Sequence, residues 1–174
     1  AHADLIEGLG LASDSSFIDL ERPSVRTHVF EAGNIESDDL PIVFVHGTAA
    51  FGAFLAPLMR QLAEYRLVGF DRPGHGLSDP YQYRTDSLRR TTIDVIRSVL
   101  DALELERVDL VGHSMGAFAG IEFARTHPSR VRTLSIVGSV PMFPGTSPPV
   151  PIRLSTAPVL GRVIERFQDR KSVV

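Results

Sequence analysis

Hydrophobic and polar positions along this chain switch repeatedly between the period of a strand and that of a helix. Phe17 to Arg22 and Val25 to Glu31 have strand character around Pro23-Ser24, which predicts an opening hairpin or meander. Pro41-Ile42-Val43-Phe44-Val45 is a continuous β-branched and aromatic run, and a strand apolar on both faces belongs in the middle of a parallel sheet. Phe54, Leu55, Leu58 and Leu62 then recur at helical spacing and predict a helix to Glu64 despite Pro57. Arg66 to Phe70 returns as a strand and stops at Asp71-Arg72-Pro73-Gly74.

The next helix is the best defined. Leu88, Thr92, Val95, Ile96, Val99, Leu100 and Leu103 share one face, Arg89, Arg90, Asp94 and Arg97 lie off it, and Thr85 or Asp86 is expected to cap its start. Val108 to Val111 is a third buried strand. From Met115 to Ala124 every residue except Glu122 is small or apolar, which suits a helix packed tightly on a sheet and ended by His127-Pro128. Val131 to Val137 predicts a fourth buried strand. Strands alternating with helices at this spacing require right-handed crossovers, so the expected fold is α/β, a mostly parallel central sheet with helices on both faces. Pro, Gly, Ser and Thr dominate from Pro141 to Pro151, and Leu160, Val163, Ile164 and Phe167 resume a helical period, so residues 1–140 are expected to form the core and 141–174 a linker and a further helix.

Composition narrows the chemistry. The 174 residues are 43% hydrophobic and 22% charged, ordinary for a globular domain with a real core. A net charge of -3 with scattered Lys and Arg gives no cationic surface for phosphates, so nucleic acid is not an expected partner. The absence of cysteine excludes a disulfide framework, a thiolate metal site and a cysteine nucleophile. Pro41 to Met59 carries no Asp, Glu, Lys or Arg, but Pro41, His46-Gly47, Gly52 and Pro57 cut it into short pieces, and no membrane span is expected. Ala1-His2-Ala3-Asp4 lacks the basic region and apolar core of a secretory signal, and a cytoplasmic location is expected.

The candidate chemistry centres on Gly112-His113-Ser114-Met115-Gly116, which lies where a buried strand meets a helix. A tight turn there needs glycine on both flanks and lifts the serine hydroxyl above the sheet, the posture of a nucleophile. The plainer alternative is that both glycines ease packing and Ser114 caps the helix. Acyl transfer also needs donors for the developing oxyanion: the helix start offers the Met115 amide, and His46-Gly47-Thr48 after the Pro41 strand offers that of Thr48. An ordinary strand-ending His-Gly turn is the alternative for the second. Asp71-Arg72-Pro73-Gly74-His75-Gly76-Leu77-Ser78 is a compact loop of turn formers, organised by local pairing of Asp71 and Arg72, with His75 a loop histidine rather than a base.

These three elements, in this order, closely resemble the α/β-hydrolase fold superfamily, in particular its capped branch of esterases, lactonases, haloperoxidase-like enzymes and carbon–carbon bond hydrolases. The resemblance runs from about Phe17 to Val140. It implies that Ser114 is the nucleophile, that Thr48 and Met115 give the oxyanion-hole amides, and that the run beginning at Pro141 leads into a helical cap. A serine at the turn tells against the branches that use an aspartate there. The implied activity is cleavage of an ester-like bond in a small acyl substrate through an acyl-enzyme at Ser114, with no metal and no cofactor.

The resemblance also implies an order of Ser, then Asp or Glu, then His, and here it fails. Only His127 follows Ser114, and thirteen helical residues place it ~20 Å away. His113 diverges from its neighbour in the turn, and His46 and His75 share the sheet edge with Ser114 without a base role implied for either. No carboxylate occurs in Gly138-Ser139-Val140-Pro141, and Glu165 and Asp169 belong to the expected cap helix. The catalytic acid and histidine, with the last core strands, are therefore expected to be absent from this sequence. The expected explanation is a longer enzyme of which this is a part. A truncated, non-catalytic binding module and a two-chain enzyme are the alternatives.

Overall fold

The structure is a computed structural model and describes residues 13–138. The expected loop and helix of 141–174, with Glu165 and Asp169, lie outside them.

Two extended segments open the fold as an antiparallel hairpin, β1 (Ser13–Glu21) and β2 (Ser24–Gly33), turning at Arg22-Pro23. β2 runs antiparallel to β4 (Arg66–Phe70), and from there the sheet is parallel through β3 (Ile42–Val45), β5 (Val108–His113) and β6 (Val131–Val137). The order across the sheet is β1-β2-β4-β3-β5-β6. The β3 run is wholly buried because the sheet is covered on both faces. Successive residues of a strand point to opposite faces. Val43 and Val45 accordingly join Val68, Phe70 and Leu110 in one core, while Ile42 and Phe44 join Leu67 and Val111 in the other.

The first core is closed by α2 (Leu88–Ala102) and α3 (Met115–Thr126), through Val95, Ile96, Val99, Leu100, Ala119 and Phe123. The second is closed by Ala53, Leu55, Ala56 and Met59. Here the expected single helix is broken into a 3₁₀ turn (Gly52–Leu55), one α-helical turn, α1 (Ala56–Met59), and a second 3₁₀ turn (Arg60–Leu62). Pro57 falls in the first turn of α1, the place where its missing N–H costs least.

Two other expectations change. Neither Thr85 nor Asp86 caps α2; its N-cap is Ser87, with no side-chain cap bond, and Asp86 pairs instead with Arg84 at 2.7 Å. β6 is an edge strand among the described residues rather than a buried one, and Ile136 is 48% exposed. Its apolar residues matched the interior strands in composition, but composition does not say how many neighbours a strand has.

The connections place the site. From β3 the chain moves to β4 on one side, and from β5 to β6 on the other, so β3 and β5 are neighbours whose outgoing loops diverge. Such a switch point opens a crevice at the carboxyl ends of the two strands, where ligands of open α/β sheets bind. His46-Gly47-Thr48 and Gly112 to Gly116 flank it.

Candidate active site

Ser114 occupies the single residue between β5 and α3, at φ 53 and ψ −115. A left-handed φ is costly for any residue with a Cβ and persists only where the surroundings impose it. The surroundings here are close backbones. A Cβ on Gly116 would lie 2.0 Å from the Val45 carbonyl oxygen, and one on Gly112 would lie 2.6 Å from Ala117 Cα. The start of α3 is thus pressed against the end of β3, and only glycine fits on either side of the turn. The ladder continues to the turn itself, with the Ser114 amide donating to the Val137 carbonyl at 3.1 Å.

The Ser114 hydroxyl does not cap α3, since no side-chain cap bond forms there. Among the described residues no hydrogen-bond partner reaches its Oγ. The Ala117 and Phe118 amides donate to the Ser114 carbonyl at 3.0 and 3.3 Å, so the Met115 and Gly116 N–H groups precede the first helical bonds. Across the crevice, a Cβ built on Gly47 would come 2.8 Å from Ser114 Cβ. The loop bearing Thr48 is therefore brought against Ser114. Thr48 is exposed, Met115 is half-buried, and Phe54, 51% exposed, lies with its ring centroid 5.3 Å from that of His113.

Five histidines fall within the described residues. His46 is fully buried; its Nε2 accepts the Arg72 backbone N–H at 2.9 Å, which leaves the proton on Nδ1, donated to the Gly47 carbonyl at 2.8 Å. Burial first, and then the Arg72 charge, lower its pKa from 6.5 to about 3. His75, half-buried, has its pKa lowered chiefly by burial; its Nδ1 donates to the Pro73 carbonyl at 3.1 Å. His113 adjoins the turn, with its Nδ1 buried and unpartnered among the described residues. His127 stacks on Phe123 at the far end of α3, ring centroids 4.7 Å apart. None of these four bonds Ser114 Oγ.

The fifth, His28, was not singled out in the sequence. It is wholly buried on β2, with Nδ1 donating to Asp71 Oδ2 at 3.0 Å and Nε2 2.7 Å from Ser15 Oγ. Asp71 Oδ1 accepts the Gly52 amide at 2.6 Å, and Oδ2 also accepts that of Leu77 at 2.9 Å. The readable signal was a histidine inside a strand buried on both faces, which needs a polar partner. Asp71 organises the loop locally through Leu77, and both residues also make bonds that reach beyond it, Asp71 to β2 and Gly52, and Arg72 to Gly47.

Known proteins resemble this chain in sequence and in fold. A 2-hydroxy-6-oxononadienedioate/2-hydroxy-6-oxononatrienedioate hydrolase of Pseudomonas putida is 37% identical over 118 residues, 64% of this chain and 40% of that protein. Among solved structures, Cfl2 of Burkholderia cenocepacia has a TM-score of 0.75 at 24% identity, covering 92% of this chain and 56% of that one. Naproxen esterase (carboxylesterase NP) of Bacillus subtilis has a TM-score of 0.66 at 23% identity, covering 76% and 46%. These two likenesses speak to the fold. The chain spans about two fifths of the length of its curated relative. The model of the α/β hydrolase fold matches residues 41–161, most of the chain, and the chain belongs to that family.

Proposed function

We propose that the complete protein is a serine hydrolase that cleaves ester-like bonds of small acyl substrates, with Ser114 as nucleophile. The observation that carries this reading is the backbone of Ser114, held at φ 53 with its hydroxyl left out of the helix cap, at the crevice between β3 and β5. Ala49 and Glu104 share the left-handed φ, but at Ser114 it falls between a buried strand and a helix with the hydroxyl left out of the cap, which is what a nucleophile's seat requires.

In this reading Ser114 Oγ attacks the substrate carbonyl carbon while a base takes its proton. The carbonyl π bond opens to an oxyanion, which the Thr48 and Met115 amides bind. Collapse breaks the bond to the leaving alcohol, which takes up the proton, and water then releases the acid by the same steps. The base and its acidic partner come from residues other than the four histidines that miss Oγ and the buried His28. The cap expected from Pro141 onward would enclose the acyl chain.

A fluorophosphonate probe reacts only with an activated serine. The full-length protein should be labelled on the peptide containing Ser114, and Ser114→Ala should lose the label; a folded full-length protein that stays unlabelled would count for the non-catalytic binding module. The Pseudomonas relative, whose name describes hydrolysis of a 2-hydroxy-6-oxo dienedioate, favours a second reading in which the bond cleaved is carbon–carbon beside a ketone. Faster turnover of such a dienoate than of p-nitrophenyl esters would select it.

A further inference from the structure

A buried polar cluster lies directly beneath the crevice, centred on the carbonyl of Gly47. That oxygen accepts two hydrogen bonds, from His46 Nδ1 at 2.8 Å and from Arg72 Nη2 at 3.0 Å. Arg72 is 4% exposed, and the same Nη2 lies 3.4 Å from His75 Nε2. Its guanidinium carbon is 5.9 Å from the centre of the Tyr83 ring. The Arg72 main chain acts on the same point, because its N–H on His46 Nε2 is what fixes the His46 proton on Nδ1.

A peptide group is planar and trans, so the carbonyl of one residue and the N–H of the next point in opposite directions. Whatever grips the Gly47 oxygen therefore aims the Thr48 amide. With both lone pairs of that oxygen held on the buried side, the Thr48 N–H is turned toward the side on which Thr48 is exposed and Gly47 stands against Ser114. We propose that Arg72 is a positioning residue, locking the Gly47–Thr48 peptide through the Gly47 carbonyl and thereby setting the direction of the oxyanion amide. This rests on the reading of Ser114 as nucleophile. A guanidinium suits the task better than an ammonium, since its planar group holds Nη2, which meets both Gly47 and His75, in a fixed direction. Its charge also polarises the peptide it holds and makes the Thr48 N–H a stronger donor.

The test compares Arg72→Met and Arg72→Lys with wild type in the full-length protein, with Leu100→Ala as a core variant that loses stability without touching the site. Arg72→Met should lower kcat for a p-nitrophenyl ester about 10- to 100-fold, with KM changed less than about threefold, because the lost stabilisation belongs to the transition state. Arg72→Lys should recover part of kcat, and Leu100→Ala should leave it in place at an equal or larger drop in thermal midpoint. An Arg72→Met enzyme with wild-type kcat would overturn the proposal. If that variant does not fold, a Lys variant with wild-type kcat would do the same. A crystal structure of the Arg72 variant supplies a readout independent of turnover: the Gly47–Thr48 peptide should be rotated, and an unmoved peptide would count against the lock. Failure of the wild type to label at Ser114 would overturn the hydrolase reading instead, while the peptide orientation would still decide the role of Arg72.

Discussion

At the scale of single residues, Ser114 and His46 are held in states that solvent alone would not choose. The Ser114 backbone at φ 53 costs on the order of 1 to 3 kcal/mol for a residue with a Cβ. Glycine removes that cost but adds freedom to the unfolded chain. Ser114→Gly should therefore raise stability by about 1 kcal/mol in urea unfolding, while Ser114→Ala stays near wild type; a glycine variant weaker than the alanine one would refute strain at the turn. His46 yields a pH dependence. Its pKa is about 3 in the folded protein against 6.5 unperturbed, so between those values the unfolded chain binds a proton that the native state does not. Stability then falls as pH drops from 6.5 toward 3, by an amount on the order of a few kcal/mol, and this group contributes no slope above 6.5. His46→Asn should flatten the decline between pH 7 and 4.5. Equal slopes in the two proteins would show that other groups carry it.

At the scale of elements, the helices were easier to read than their ends. The apolar face of α2 is where its spacing put it, because Val95, Ile96, Val99 and Leu100 have one sheet to pack against. Its start was misjudged, because a cap depends on one residue's backbone angles and not on the presence of a Thr or Asp nearby. The first turn of α2 carries no acidic residue and has Arg89 and Arg90 near the positive end of the helix dipole. Arg89 is engaged by Glu122, whereas Arg90 is exposed. Arg90→Glu should stabilise the protein by about 0.5 kcal/mol at low salt, an increment that 1 M NaCl should erase. The segment Gly52 to Leu62 shows the opposite limit. Of its helically spaced residues Leu55 is buried and Leu58 and Leu62 pack partly against the core, but Phe54 is 51% exposed, and Pro57 and the short span leave only turns.

At the scale of the whole molecule, the alternation of strands and helices made the parallel sheet, the two-sided core and the position of Ser114 between β5 and α3 legible in advance. Strand order was not, since no local pattern says that β4 rather than β3 lies beside β2. The exposure of β6 escaped for the same reason. The site divides likewise. Gly112, Ser114 and Gly116 declare themselves as neighbours in sequence, while the Arg72 to Gly47 and His28 to Asp71 bonds join residues 25 and 43 positions apart. Such pairs exist only once the sheet has closed.

The Asp71 carboxylate gives this a practical meaning. It receives His28 from the opening hairpin, Gly52 from the stretch after β3 and Leu77 from its own loop. A chain begun at Pro41 would retain every motif from His46 to Gly116 and would still be recognised by them. It would also have lost His28, and with it the tie between the hairpin and the loop that borders the crevice. The hairpin carries none of the chemistry, yet it is part of the jig in which the crevice is cast, and a minimal version of this protein should be cut ahead of β1.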